Sequence, residues 1–399
     1  MPNVTILQVV PRLETGGSEM TTVEIAEALS RAGAKALVAT EGGRMAKAIV
    51  QAGGEVVPMP VASKNPLTML ANARKLERLI EARGVDLVHA RSRAPAWSAF
   101  IAARRTKRPF VTTYHGAYSS PGPLKALYNS IMGRGDRVIA NSLYTADLVA
   151  GRQHVARDRI RVVYRGLDSA IFDPLVVPPG PVSKLRQVWG VAPERRIVLH
   201  AARISSIKGQ RQTIEAAARL DKEGALAGVC IILAGDAPGK AVYRQELLDL
   251  IAGNKLEDKV RVVGHCSDMP VAFLAADLAL VPSLVAETFG RTSIEAQAMG
   301  CPVIVSQLGA LPETIGEGDE FTGWSVPAGD AGALADRIKF ALSLSPAERA
   351  AIGARGRARV VALFELSQMQ AKTLAVYDEL LGTNLAELYE NPPAYAAEP

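Results

Sequence analysis

The amino-acid sequence predicts an α/β protein built from two doubly wound domains. Short apolar runs rich in Val, Ile and Leu alternate with segments of helical periodicity along nearly the whole chain, which is the pattern of parallel sheets covered by helices. A proline-rich stretch at residues 172–182, with Pro174, Pro178, Pro179 and Pro181, divides that alternation in two and reads as a linker. At 399 residues the chain is long enough for two domains with cores of their own.

In the first half the strand-like runs are residues 5–10, 36–40, 55–58, 87–90, 110–114, 137–140 and 161–164. Helical periodicity fills the gaps, as over 19–32 and 66–83. In the second half strands are expected at 197–201, 229–234, 260–263, 278–281 and 303–306, and helices at 209–222, 241–252, 292–299 and 331–342. A long helical stretch, 346–361, breaks near Phe364 and resumes to about Tyr389, and 391–399 read as a loose tail. The expected domains are therefore 1–175 and 183–365, followed by a helical segment at 366–389.

A hydrophobic content of 48% with 22% charged residues is that of a globular protein. Aromatics at 5% are too sparse for a stacking platform that binds single-stranded nucleic acid. No apolar run reaches the length of a membrane span, and the N-terminus has no secretory pattern. Cys230, Cys266 and Cys301 are scattered in or beside apolar runs, as small buried hydrophobes in a reducing compartment are. These features predict a cytoplasmic protein. The net charge of +6 is uneven: residues 1–180 carry 24 Lys and Arg against 14 Asp and Glu. The densest cluster runs Arg91, Arg93, Arg104, Arg105, Lys107, Arg108, then Lys125, Arg134 and Arg137. An anionic membrane surface, a phosphorylated acceptor and plain solvated helix faces all fit it. No helix-turn-helix, zinc or RNA-binding motif accompanies the charge, so nucleic acid is not an expected partner.

The chemistry-bearing residues fall where strands end, which is where open α/β sheets bind ligands. Glu287-Thr288-Phe289-Gly290-Arg291-Thr292 leads from a buried strand into a helix that carries Glu295. Two carboxylates are thus separated by seven residues and sit beside a helix N-terminus, whose amides attract anions. The same stretch also satisfies a simple helix start. Arg203 and Lys208 flank a small polar loop, with Lys208 followed by Gly209 at the entry to another helix. A guanidinium fork and an ammonium point charge so placed can clamp a diphosphate. Gly16-Gly17 after the first strand lets backbone approach a ligand, although the third glycine of a dinucleotide fingerprint is absent. His115, in Thr113-Tyr114-His115-Gly116, and Gly235, in Gly235-Asp236-Ala237-Pro238, also follow strands. Asn141-Ser142 reads as a helix-capping pair. No Asp-x-Asp and no His/Cys ligand spacing appears, so no metal cofactor is expected.

Together these loops resemble those of the glycosyltransferase family 4 enzymes, which have the GT-B fold of two Rossmann-like domains with an inter-domain cleft. The resemblance covers about residues 1–365 and rests most on the E-x7-E spacing of Glu287 and Glu295 and on the Arg203…Lys208-Gly209 pair. It implies a retaining transfer of a sugar from a nucleoside-diphosphate sugar to a glycan or lipid-linked acceptor, of the bacterial lipopolysaccharide or glycolipid type; the basic first half adds the expectation of peripheral contact with the inner face of the cytoplasmic membrane. By the resemblance, Arg203 and Lys208 neutralise the leaving diphosphate, and Glu287 orients sugar hydroxyls beside the backbone of Phe289, Gly290, Arg291 and Thr292. Glu295 takes the ribose, His115 lies at the reacting region, and Gly16 and Gly17 face the donor phosphates and the acceptor. The C-terminal helix crosses back onto the first domain, and domain closure completes the site. Arg291 departs from the small apolar residue usual after Phe-Gly, and Ala237 replaces a usual glycine. Sugar-nucleotide 2-epimerases share the fold, so an isomerase is one alternative; a non-catalytic sugar-nucleotide binder is the other.

Overall fold

The computed structural model describes residues 4–14, 16–116 and 122–392. The chain forms two compact units, Met1–Tyr164 together with Ser367–Pro399, and Arg165–Leu366.

The first unit runs β1 (Thr5–Val9), α1 (Gly17–Arg31), β2 (Lys35–Thr40), α2 (Ala46–Gln51), β3 (Glu55–Pro58), α3 (Pro66–Arg83), β4 (Leu87–Ala90), α4 (Arg93–Arg105), β5 (Phe110–Tyr114), α5 (Pro123–Ser130), β6 (Arg137–Ala140), α6 (Leu143–Gln153) and β7 (Ile160–Val162). Its seven strands lie in the order β3-β2-β1-β4-β5-β6-β7. Neighbouring strands pair in parallel. Leu7, Val9, Val88 and Ala90 form one core with Leu76 and Ile80 of α3 and Ala96, Ala99, Ala102 and Ala103 of α4. Small alanines let α4 lie close on the sheet. α3 is fixed at both ends: Asn65 accepts from the amides of Leu67 and Thr68, Pro66 opens the helix, and Gly84 closes it in the left-handed region at φ 59°. Ser142 caps α6 by accepting from the amide of Thr145.

The second unit runs α7 (Pro179–Val188), β8 (Arg196–Ala201), α8 (Gln210–Lys222), β9 (Val229–Ala234), α9 (Ala241–Gly253), β10 (Val260–Gly264), α10 (Met269–Leu274), β11 (Leu278–Val281), α11 (Arg291–Ala298), β12 (Val303–Ser306), β13 (Gly323–Val326), α12 (Ala331–Ser343) and α13 (Pro346–Leu363). The strand order is β10-β9-β8-β11-β12-β13, again with parallel pairs. Apolar cores cover both faces of this sheet, so β9 reads as the unbroken run Val-Cys-Ile-Ile-Leu-Ala, with every residue buried. The proline-rich stretch expected to be a linker is helical in its latter part. Pro179 stands in the first turn of α7, where a missing amide hydrogen costs nothing.

α13 ends before Phe364, whose carbonyl accepts from Leu167 while the Leu167 carbonyl accepts from Leu366. α14 (Leu366–Leu381) and α15 (Leu385–Glu390) follow. α14 belongs to the first unit through buried polar bonds. The Tyr377 hydroxyl lies 2.6 Å from Nδ1 of His89, and Gln370 donates to the Glu24 carbonyl at 2.7 Å. Glu379 pairs with both Arg137 and Arg161.

Candidate active site

In the second sheet the strand order reverses between β8 and β11, because β8 pairs with β9 on one side and β11 on the other. Loops leaving two such strands turn opposite ways and open a crevice at their carboxyl ends. The β8 loop carries Arg203 and Lys208, and the β11 loop carries Glu287. Gly209 lets them meet. Its φ is 82°, and a Cβ there would lie 2.0 Å from the Pro282 carbonyl oxygen, which no side chain tolerates. The Leu284 amide then donates to the Ile207 carbonyl at 2.9 Å.

Lys208 Nζ donates to Oε1 of Glu287 at 2.6 Å, and both side chains are about three-quarters buried. Ser283 Oγ donates to the same oxygen. Oε2 of Glu287 has no protein donor among the described residues. The Glu287 carbonyl accepts from Ala310 at 2.9 Å, beside Gly309, where a Cβ would come within 2.5 Å of that carbonyl oxygen. The acid is thus held from its backbone and from one carboxylate oxygen. Burial and then the Lys208 charge hold the neighbouring His200 neutral, its pKa down to about 3. Arg203 is exposed and enters no ion pair among the described residues; its carbonyl accepts from Gln210 at 3.0 Å.

Gly290 opens α11 without a side-chain cap, and no acidic residue lies in the first turn. The amides of Ser293 and Ile294 turn back to the Gly290 carbonyl. Those of Arg291 and Thr292 come earlier than any intrahelical acceptor can reach, so they point out along the axis. Such a helix start attracts an anion. A buried ladder fixes the helix: Ser293 Oγ lies 2.7 Å from Thr314 Oγ1, and Gln297 donates to the Thr314 carbonyl and accepts from Thr322. Glu295 is largely buried, which raises its pKa, and Arg291 Nε lies 3.3 Å from its Oε1. Phe289 is buried, with its ring edge-on to Phe364 at 5.6 Å, so it offers the crevice backbone only. A Cβ on Gly235 would lie 1.9 Å from the Ala202 carbonyl oxygen, so glycine is needed there for the β9 loop to lie against the β8 loop.

The first unit holds the other predicted residues. Gly16 precedes α1, and a Cβ on it would lie 2.1 Å from Oε2 of Glu19, so the chain's own carboxylate folds back over this helix start. His115 follows β5, half-buried, near enough to His89 for its charge to help lower the pKa of that group. Among the described residues no group of three His, Cys, Asp or Glu side chains is placed to hold a metal ion.

Two family models match the chain, glycosyltransferase family 4 over residues 15–170 and glycosyl transferases group 1 over residues 182–359. A glycosyltransferase of solved structure from Rickettsia africae ESF-5 is 34% identical, with a TM-score of 0.88 over 96% of this chain and 99% of that one. The chain belongs to this glycosyltransferase family and has the GT-B fold. Anabaena Alr3699/HepE, solved in complex with UDP and glucose, is 26% identical, with a TM-score of 0.80 over 95% of this chain and all of that one. The D-inositol 3-phosphate glycosyltransferase of Mycobacterium tuberculosis (strain ATCC 25618 / H37Rv) is 30% identical over 334 residues, 79% of this chain. The chain spans 66% of the length of that relative.

Within the glycosyltransferase's second unit, Lys208 and Glu287 thus stand on the loops of adjoining strands, and Glu295 on the helix that the second loop enters. Sequence reading passed over Ser283 and Gly309, which hold Glu287 in place. A serine four residues before the acid, next to a strand-ending proline, was the available signal for the first.

Proposed function

We propose that this glycosyltransferase is a retaining enzyme that transfers a sugar from a nucleoside-diphosphate sugar to a glycan or glycolipid acceptor in cell-envelope synthesis, of which lipopolysaccharide is one example. The observation that carries the reading is the Lys208–Glu287 pair, 2.6 Å across, beside the uncapped start of α11 at the point where strand order reverses. When the bond from the anomeric carbon to the diphosphate oxygen breaks, negative charge grows on the diphosphate. Arg203, Lys208 and the outward amides of α11 supply fixed positive ends for it, the electrostatic contribution that usually dominates. Oε2 of Glu287 accepts from sugar hydroxyls, the backbone of Phe289 to Thr292 binds phosphate, and Glu295 accepts from the ribose. The acceptor hydroxyl forms the new bond on the face the diphosphate leaves, and its proton passes to the departing oxygen. His115 serves the donor sugar at the reacting region, and the Gly16-Gly17 loop serves the donor phosphates and the acceptor. The cations and helix dipole do the work of a metal, so turnover is expected to be independent of magnesium.

Replacing Arg203 or Lys208 with Ala is expected to lower kcat by about 10²-fold or more. Near-normal turnover in both variants would sink the assignment.

We propose further that the acceptor is met at an anionic membrane surface. Leu124 is 83% and Leu127 54% exposed, three residues apart on α5. Beside them a pocket of about 750 Å³ is lined by Ser130, Arg134, Arg152 and His154, with no carboxylate. Among the described residues no helix is long and apolar enough to cross a membrane. Apolar tips beside unopposed cations suit peripheral attachment. Binding to vesicles should therefore require anionic lipid and fade with salt; equal binding to neutral vesicles contradicts this.

A further inference from the structure

Helix physics does not account for Arg291. A cation at the first residue of a helix stands at the positive end of the macrodipole, and Arg placed four residues before Glu is the less favourable order of such a pair. What Arg291 touches does account for it. Its Nε lies 3.3 Å from Oε1 of Glu295, whose side chain is only 16% exposed. That carboxylate accepts from no other side chain among the described residues.

The surroundings leave Arg291 as the cation acting on this acid. α11 packs against α13, α10, β11, β12 and the short turn Leu311–Thr314. The residues of α10, β11 and β12 are uncharged. The four arginines of α13 are bonded elsewhere: Arg349 to the Leu344 carbonyl, Arg355 to that of Phe321, Arg357 to those of Phe172 and Ala298, and Arg359 to that of Glu313. Glu348 of the same helix is in a capping box with Ser345. The turn carries Glu313, a like charge, and in the adjoining loop Lys208 is paired with Glu287.

We propose that Arg291 is a positioning residue, which holds the Glu295 carboxylate ionised and turned so that Oε2 accepts from the ribose hydroxyls of a nucleoside diphosphate. The proposal rests on the assignment of Glu295 to the ribose. A ribose diol donates two hydrogen bonds, and an ionised carboxylate can accept both, whereas a protonated one turns an acceptor into a donor. A buried carboxyl without a counter-charge shifts toward its neutral form. Burial raises the pKa of Glu295 and Arg291 opposes that rise. Removing Arg291 therefore raises it further, so nucleotide affinity is retained above the new pKa and lost as pH falls through it.

The test is calorimetric titration of UDP, GDP and ADP into wild type, Arg291→Leu, Arg291→Lys and Glu295→Gln, from about pH 8 down to about pH 5.5. Arg291→Leu is expected to lose about tenfold in affinity, relative to wild type, toward the acid end, because the carboxyl without its counter-charge takes up a proton at higher pH. Arg291→Lys restores the wild-type profile, which a merely structural defect would not allow. Glu295→Gln binds weakly at every pH with no acid-side decline. An Arg291→Leu profile parallel to wild type overturns the proposal while leaving the ribose assignment standing. Wild-type affinity in Glu295→Gln removes the ribose assignment itself.

Discussion

The two units wind a parallel sheet in the same way, yet they place their polar residues differently. In the second unit apolar cores cover both faces of the sheet, with His200 of β8 buried among them, while Lys208, Glu287 and the start of α11 stand beyond the strand ends. In the first unit a polar row runs through the sheet itself. Gln8 of β1 accepts from Arg91 Nε at 2.9 Å, and His89 of β4 lies 2.7 Å from Thr113 of β5 and 2.6 Å from Tyr377 of α14. Arg91 is 2% exposed, and its Nη2 has no partner among the described residues. Burial lowers the Arg91 pKa, while Tyr377 and Glu24 oppose the shift. It pushes the Tyr377 hydroxyl up to about 12 and holds His89 well below the usual histidine value. A face of that kind cannot be closed by apolar side chains, because each unpaired group would be costly. The C-terminal helix supplies one partner, the Tyr377 hydroxyl that meets His89. One frame thus keeps its charges at strand ends, and the other carries a buried polar row covered by a segment distant in sequence.

The largest effect that could break this comparison is on stability. Arg91→Ala is expected to cost about 3 kcal/mol, from the lost volume and the stranded Gln8 oxygen, whereas Arg91→Met keeps the volume and costs less. Urea unfolding checks it, and equal, small losses would mean that the row is not structural. Next, Lys208→Ala should lower kcat about 10²-fold, near 2.7 kcal/mol of transition-state stabilisation, with a smaller change in melting temperature. Steady-state kinetics and a thermal melt separate the two. Tyr377→Phe leaves Nδ1 of buried His89 unpaired, and the melt should report about 1–3 kcal/mol. A pH effect is expected in the second unit, and near neutral pH it vanishes. His200 is buried, 2.9 Å from Thr213 Oγ1, and its pKa is down to about 3. The unfolded chain takes up a proton near pH 6.5 that the fold refuses. Stability is therefore full above about pH 6.5 and declines toward about pH 3, by at most about 1.4 kcal/mol per pH unit from this group. Melts of His200→Gln should fall less steeply with acid than those of wild type. Least of all, Glu379→Ala removes partly exposed pairs with Arg137 and Arg161 and should cost about 1 kcal/mol or less.

Much of the fold was legible because central parallel strands are buried on both faces. Residues 87–90, 110–114, 229–234, 278–281 and 303–306 are apolar or nearly so, and the structure bounds β4, β5, β9, β11 and β12 there. β13 was not expected: four residues beginning with Gly323 make no apolar run, and the strand forms only because β12 offers an edge. α7 was hidden by prolines that suit a helix's first turn as well as a linker, and α10, at six residues, is too short to show a period. The polar row of the first unit was illegible for another reason. Gln8 interrupts a strand by one residue, and the Tyr377 that meets His89 is 288 residues away in sequence. At the candidate site the glycines and charges could be read from loop chemistry, but not the pairing of Lys208 with Glu287, which depends on the contact Gly209 makes with the next loop.

The most direct measurement is nucleoside-diphosphate binding to wild type and to Lys208→Ala and Arg203→Ala, by thermal shift, with and without magnesium. A ligand bound to the native state raises the melting temperature by mass action. The predicted result is a shift with one base family, unchanged by magnesium and lost or much reduced in both variants. No shift with any base, or one that neither variant diminishes, would contradict a donor site built on the Lys208–Glu287 pair.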